Sequence, residues 1–401
     1  MSSPGDGALR TFFMEDHLEA SRFTARFNLG ESGSWPTTVG ELLLGAGMTE
    51  AEAARELLAM PLCDSPNWGR EELRARVAGL HAGCAAEDVL ITTGTSEALF
   101  LLLHRLRPAR TAVALPAFQL LYEVPQSLGA AIVELPVRWD AAGRPFVDEA
   151  EWLDAVRTER PDCLILNQPH NPSGLMFSAA FLDELIDLAL AQGATVVGDE
   201  HYRFLASDDG PLGPTVHRPP GRSGRVFVTG SYIKCLGCPG LRIGWCVGDP
   251  RVLAAMQSDK NYTTHTVNPI SEWISCRVLA DLAAPIWQHH RRSWQANRRA
   301  LAALLARSDA FLGAPPQGGL VTSIAWRGVQ TRAELGAAFD AVRAAGIFVL
   351  PMDAMEFGAH RRRSPGPFGD GFGFRLGLGA RPEQFADALA ALERAGAGAC
   401  R

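Results

Sequence analysis

The chain has 401 residues, 47% of them hydrophobic and 20% charged, with a formal net charge of -6. Acidic and basic residues are interspersed, so nothing in the charge pattern calls for nucleic acid or an anionic membrane as a partner. No apolar run approaches the roughly 20 residues that span a bilayer, and the opening MSSPGDGALR lacks the apolar core of a secretory signal, so a soluble cytoplasmic protein is expected.

A chain of this length is expected to form a large domain plus a smaller one. The division expected is an N-terminal segment over residues 1–50 that packs with the smaller domain, a large domain over 51–285 and a small C-terminal domain over 286–401. From about Glu71 onward, short apolar runs alternate with amphipathic helical stretches. DCLILN (Asp162–Asn167), ATVVGDE (Ala194–Glu200) and RVFVTG (Arg225–Gly230) read as buried strands bounded by turn residues. Between the first two, FLDELIDLALAQG (Phe181–Gly193) has helical spacing and stops on Gly. This alternation predicts an α/β fold with a mostly parallel sheet. Ligands bind such sheets at the carboxyl ends of the strands, where Asn167, Asp199 and Ser231 close the three runs. After about Pro285 the pattern changes to a long helix (His289–Arg307), short strands and a final helix from Pro382.

Several strings along this frame carry chemistry. In TTGTSEAL (Thr92–Leu99), Gly94, Thr95 and Ser96 stand at a strand end and open a helix near Glu97. Free amides and two hydroxyls there suit a phosphate, although Thr and Ser are also ordinary helix caps. In NQPHNPSG (Asn167–Gly174), Pro169 and Pro172 flank Asn171 and fix its amide at the sheet edge. In GDEHYRF (Gly198–Phe204), Asp199 ends an apolar strand, where a carboxylate needs a cationic partner such as a protonated pyridine nitrogen. Tyr202, three residues on, is within reach of a hydroxyl on the same ring.

GSYIKCLGCPGLRIGW (Gly230–Trp245) holds Lys234 three residues after Ser231 and eight before Arg242. A lysine that attacks a carbonyl must be kept partly deprotonated, which burial and nearby positive charge promote. Ser231 and Arg242 suit a phosphate dianion. Gly237, Gly240 and Gly244 are expected to let the backbone pass close to a bound molecule. Lys234 and Lys260 are the only lysines, an Arg-for-Lys bias that points to GC-rich coding of the actinobacterial kind. Arg375 interrupts the apolar alternation of GFGFRLGLG and needs an anion, from an internal ion pair or from a substrate carboxylate. Cys235 and Cys238 form a CxxC, but no second pair completes four metal ligands; they read as reduced thiols in a tight loop, and no metal is expected.

These strings, in this order from about Asn28 to Arg381, resemble the class I/II aminotransferases of fold type I, enzymes dependent on pyridoxal 5′-phosphate (PLP). The resemblance implies a large domain around a mostly parallel, seven-stranded-type sheet with a smaller α+β C-terminal domain. It implies that Lys234 carries the coenzyme and moves a proton, and that Asp199 pairs with the pyridine nitrogen. Asn171 and Tyr202 would serve the ring oxygen, while Phe118 of LPAFQLLY would stack on the ring. Gly94, Thr95, Ser96, Ser231 and Arg242 would hold the phosphate, and Arg375 the substrate carboxylate, with Ser32 and Asn171 beside it. A homodimer acting on a small amino-acid-like molecule is expected. Asp64 stands five residues before Gly69, where many members have a Tyr that reaches the partner subunit's phosphate; an Asp cannot bind phosphate as Tyr does. NLGESGSWPTTVGELL, CPGLRIGWCV, NYTTHTVNPISEW and PQGGLVTSIAW bring the chain closer to the capreomycidine synthase-like branch of natural-product enzymes.

An aminotransferase-like enzyme of antibiotic biosynthesis is therefore the first expectation. A lyase, cyclase or decarboxylating oxidase on the same scaffold is the alternative, because one residue set serves all of these outcomes. Contacts to the substrate side chain are expected near Glu31–Ser32, Tyr232, Thr263–His265 and Met355–Phe357. A DNA-binding regulator built on this fold would need a basic N-terminal domain, and the roughly seventy residues before the GxxxLR stretch show none.

Overall fold

Residues 8–206, 210–218, 224–355 and 373–399 are described by the structure, a computed structural model. The main strands in chain order are β1 (Val89–Thr92), β2 (Arg110–Leu115), β3 (Ala131–Pro136), β4 (Cys163–Asn167), β5 (Thr195–Asp199), β6 (Val226–Gly230) and β7 (Gly244–Val247). They form one seven-stranded sheet in the order β1-β7-β6-β5-β4-β2-β3. The five strands from β6 to β3 run parallel, and β7 is antiparallel to both of its neighbours.

The apolar runs are continuous because both faces of this sheet are covered. Along β4, Leu164 and Leu166 enter one hydrophobic cluster, while Cys163 and Ile165 enter another on the opposite face. Val196 and Val197 of β5 divide between the faces in the same way. Each fully buried aliphatic side chain of this kind contributes about 1.5–3 kcal/mol.

Helix starts differ from expectation by two to four residues, and residues of the first turn or cap explain the differences. The helix after β1 (Thr95–Leu106) begins at Thr95, not near Glu97, because Gly94 at φ 84° turns the chain directly into it. The helix between β4 and β5 (Ala179–Ala191) begins two residues early, with the Ser178 hydroxyl accepting from the Phe181 amide. The long helix spans Pro285–Arg307, with Pro in its first turn.

Downstream, β8 (Phe311–Gly313), β9 (Val321–Trp326), β10 (Leu350–Pro351) and β11 (Gly373–Gly377) make an antiparallel sheet in the order β8-β9-β11-β10. The N-terminal segment ties this part to the large sheet. Phe27–Asn28 pairs in parallel with Ile347–Phe348, and Gly377 donates its amide to Leu29 at 2.7 Å. The segment then crosses the Lys234 loop: Ser34 donates to the Lys234 carbonyl at 2.8 Å and Thr37 to that of Gly237 at 2.9 Å.

Glycine makes this crossing feasible. A Cβ at Gly377 would overlap the Glu31 carbonyl, one at Gly379 the Gly33 carbonyl, and one at Gly237 the Trp35 carbonyl. Gly237 is thus needed for the N-terminal strap rather than for a bound molecule, and a Cβ at Gly240 meets open space. Cys235 and Cys238 are buried in an apolar cluster with Tyr232 and Trp245.

Candidate active site

The carboxyl ends of β4 and β5 lie side by side, with Asn167 and Asp199 as register partners. The Asn167 side-chain amide donates to the Asp199 carbonyl and to its Oδ2, each at 3.1 Å. Its oxygen accepts the Asn171 amide at 2.6 Å, which anchors the following loop. The other carboxylate oxygen of Asp199 is buried without a partner. Burial, reinforced by the adjacent Glu200 charge, pushes the Asp199 carboxyl up to about 7. An orphaned, desolvated acceptor of this kind suits a cationic N–H such as a protonated pyridine nitrogen.

Lys234 follows β6, and its Nζ donates to the Ser32 hydroxyl at 2.9 Å. Burial lowers its pKa, while the Glu31 carboxylate opposes that shift. Tyr202 donates its hydroxyl to the Ser32 carbonyl at 2.9 Å. Ser32 is therefore held from both sides, its hydroxyl by the lysine and its carbonyl by the tyrosine.

Arg375, on β11, is wholly buried. Its Nη2 donates to the Gly30 carbonyl at 2.7 Å and its Nη1 to the Asn171 side-chain oxygen at 3.2 Å. Sulfurs of Met14 and Met355 lie 3.6 and 3.9 Å from Nη1, and Nε has no partner. No carboxylate pairs with this guanidinium among the described residues, so an internal ion pair does not account for it. Arg375 and Asn171 are brought together; Ser32 is instead committed to Lys234 and Tyr202.

The groups expected to hold a phosphate also converge. Gly94 leads into Thr95 and Ser96 at the N-terminus of a twelve-residue helix. A Cβ on Gly94 would come 2.9 Å from Nη2 of Arg242, so that guanidinium lies against the turn. Gly244 backs onto Gly94 and Thr95, where a Cβ would sit 2.5 Å from the Gly94 carbonyl carbon. Ser231 is buried beside them, but its hydroxyl donates to the Ile243 carbonyl at 2.7 Å and serves the loop. The arrangement fits a phosphorylated pyridine: donors at one end, an orphaned carboxylate oxygen at the other, and a lysine amine of lowered pKa.

Phe118 follows β2, half-buried, with its ring 5.5 Å from that of Phe12 and packed against the Met14, Leu18 and Met355 cluster. Tyr232 is not available to a substrate. It is fully buried in the core, and its hydroxyl shares a 2.7 Å hydrogen bond with Ser275. Thr263 and Thr264 donate to Glu97 at 2.6 and 2.8 Å, and Thr264 also accepts from Thr93 at 3.2 Å, which sets that stretch beside the Gly94–Ser96 turn. Thr266 donates to the exposed Asp64 at 3.3 Å. His265 turns to its own helix end, its ring 3.1 Å from Asn261. Met355 lies at Arg375, while Glu356 and Phe357 lie outside the described residues. Asn167, expected only as a polar strand end, is the clasp on Asp199, and His201, for which the sequence carries no signal, places its Nδ1 3.0 Å from the Thr95 hydroxyl.

Residues 41–364 match the family of class I and II aminotransferases. Capreomycidine synthase of Streptomyces vinaceus is 31% identical over 325 residues, 79% of each chain. A PLP-dependent aminotransferase from Streptococcus suis superimposes with a TM-score of 0.83 at 20% identity, over 96% of this chain and 97% of that one, which speaks for the fold alone. The PLP-dependent cyclase OrfR superimposes with a TM-score of 0.81 at 25% identity, over 98% of both chains. With this sheet, this residue set and these relatives, the chain belongs to the class I and II aminotransferase family, and it is an α/β fold-type I enzyme whose coenzyme is pyridoxal 5′-phosphate.

Proposed function

We propose that this enzyme works on the α-carbon of a free amino acid or amino-acid conjugate in natural-product biosynthesis. Lys234 is the group that takes and returns the α-proton, and Arg375 is the clamp for the α-carboxylate. The observation that carries the reading is Arg375, a wholly buried cation without a carboxylate partner among the described residues and with Nε unpaired. A guanidinium so placed calls for an anion brought in by the substrate.

Bound PLP supplies an electron sink that weakens the bonds at the amino carbon of a linked substrate. The protein's contribution is placement and proton control. Asp199 supplies a carboxylate oxygen for the ring nitrogen, and the Asn167 clasp keeps that oxygen in place. Desolvation favours the neutral amine of Lys234, the form that accepts a proton, and Ser32 fixes where that amine rests. Asn171 joins Arg375 to the loop that Asn167 anchors, so carboxylate clamp and coenzyme site share one frame.

Transamination is the first outcome open to these residues. Elimination with cyclisation is the second, favoured by the likeness to capreomycidine synthase and to a PLP-dependent cyclase. The Streptomyces relative and the Arg-for-Lys bias support a natural-product role in an actinobacterium. A cytoplasmic homodimer is part of the same proposal and rests on the fold family. Incubating the coenzyme-loaded enzyme with a panel of amino acids tests it. Conversion of the coenzyme to its amine form, reversed by a 2-oxo acid, marks transamination; product without that conversion marks the second outcome. If no amino acid perturbs the coenzyme spectrum, the proposal fails.

A further inference from the structure

His201 lies between Asp199 and Tyr202 in sequence and is assigned no part in the chemistry above. Its surroundings are those of a site residue. Nδ1 sits 3.0 Å from the Thr95 hydroxyl in the phosphate turn. Its ring meets Tyr202 edge-on with centroids 5.5 Å apart, and its carbonyl accepts from the Cys235 thiol at 3.7 Å, one residue from Lys234. Nε2 is buried and has no hydrogen-bond partner. Burial and the positive charges of Lys234 and Arg242 hold the imidazole neutral, at about 3.

We propose that His201 is a positioning residue of the coenzyme site, donating its Nδ1 proton to Thr95 so that the Thr95 hydroxyl spends its own proton on the coenzyme phosphate. The argument is one of donor and acceptor count, and it rests on Thr95 belonging to the phosphate site. A phosphate dianion offers only acceptors, and a threonine hydroxyl has one proton. If Thr95 donates to His201, it presents lone pairs to the phosphate and repels it. If His201 donates to Thr95, the hydroxyl proton is free for the anion. A neutral imidazole has one proton to place, so this choice leaves Nε2 as an acceptor, and Nε2 is the ring nitrogen without a donor or acceptor to oppose it. Arg242, whose guanidinium lies against Gly94, and the helix N-terminus supply the charge and the amides, while His201 supplies the direction.

The test compares binding of pyridoxal 5′-phosphate with binding of unphosphorylated pyridoxal, by titration of the coenzyme-stripped full chain. His201→Phe keeps a flat ring and removes the donor. It is expected to weaken the phosphorylated form about tenfold, the loss of one hydrogen bond to a charged group, and to leave pyridoxal within about twofold. His201→Asn, which restores an N–H near Nδ1, is expected to recover most of that loss. Thr95→Val is expected to show the same phosphate-specific loss, and the double variant no more than either alone, because both remove one bond. A ¹⁵N spectrum is expected to show the Nδ1–H tautomer of His201 in the coenzyme-bound wild type. Equal losses for both ligands, additive losses in the double variant, an unchanged affinity in His201→Phe, or the Nε2–H tautomer would each overturn the assignment. Wild-type protein that takes up neither ligand would overturn the coenzyme site itself, a different and separable result.

Discussion

Asn167 and Asp199 end neighbouring parallel strands in register, and one amide holds both the backbone and the side chain of the aspartate at 3.1 Å. The clasp fixes one carboxylate oxygen and leaves the other for a ligand. Asn167→Ala removes two donations to Asp199 and orphans the Asn171 amide. A buried polar group left unpaired costs about 1–3 kcal/mol. Coenzyme affinity is expected to fall by about 10- to 100-fold, with a lower melting temperature, in a titration beside a thermal scan. An affinity within error of wild type would show that the clasp does not position the carboxylate.

The raised pKa of Asp199 sets a pH dependence with a definite sign. Its carboxyl moves from the ordinary 3.8 to about 7 in the folded, coenzyme-stripped chain. The folded state then binds more protons than the unfolded state between those values, so stability is full below about pH 4 and is lost as pH rises through 7. The loss attributable to this group approaches about 4 kcal/mol. Asp199→Asn, which cannot ionise, is expected to melt near the stripped wild type at pH 4 and clearly above it at pH 8. The loaded proteins are expected to reverse that order, because the carboxylate then has its cation. Parallel melting curves at every pH would refute the desolvation argument.

How much of this was legible in the sequence depends on the range of the contacts involved. Asn167 and Asp199 are legible because polar residues at the ends of doubly buried strands have few purposes, and Asn171 because two prolines flank it in the loop that follows. Lys234 stood out because it is one of only two lysines, and Arg375 because a cation interrupts an apolar strand. Ser32 was placed near the substrate, yet its hydroxyl and carbonyl are taken by Lys234 and Tyr202, 202 and 170 residues away, pairings that no local pattern encodes. Tyr232 departs from expectation because its sequence neighbours Ser231 and Lys234 are expected site residues, whereas the direction of a loop side chain has no local signal. On the looping chain its side chain turns into the core, toward Ser275. His201 was hidden inside a motif already explained by its flanking Asp and Tyr.

Arg375 makes a prediction about substrate class. Arg375→Lys keeps a cation but loses the planar fork and its link to Gly30 or Asn171. Catalytic efficiency toward amino acids is expected to drop by about 10²–10³-fold, the scale for breaking a buried charge-assisted pair. Amines lacking a carboxylate are expected to lose far less. A uniform loss across both classes would assign Arg375 to structure rather than to recognition.

The N-terminal strap gives the last prediction, and it separates packing from chemistry. A Cβ at Gly379 overlaps the carbonyl of Gly33, the residue after Ser32. Gly379→Ala therefore pushes the strap off its path exactly where it carries the hydroxyl that holds Lys234, with an overpacking cost of about 1–3 kcal/mol. The expected readouts are a lower melting temperature, faster proteolytic cleavage within residues 22–38, and a shifted pH midpoint in the visible absorption of the bound coenzyme. Gly240→Ala, in the Lys234 loop that the strap crosses but with nothing within 4 Å of the new methyl, is the control. It is expected to change stability by less than about 0.5 kcal/mol and to leave the spectrum alone. If the two alanines behave alike, the strap does not set the resting position of the lysine.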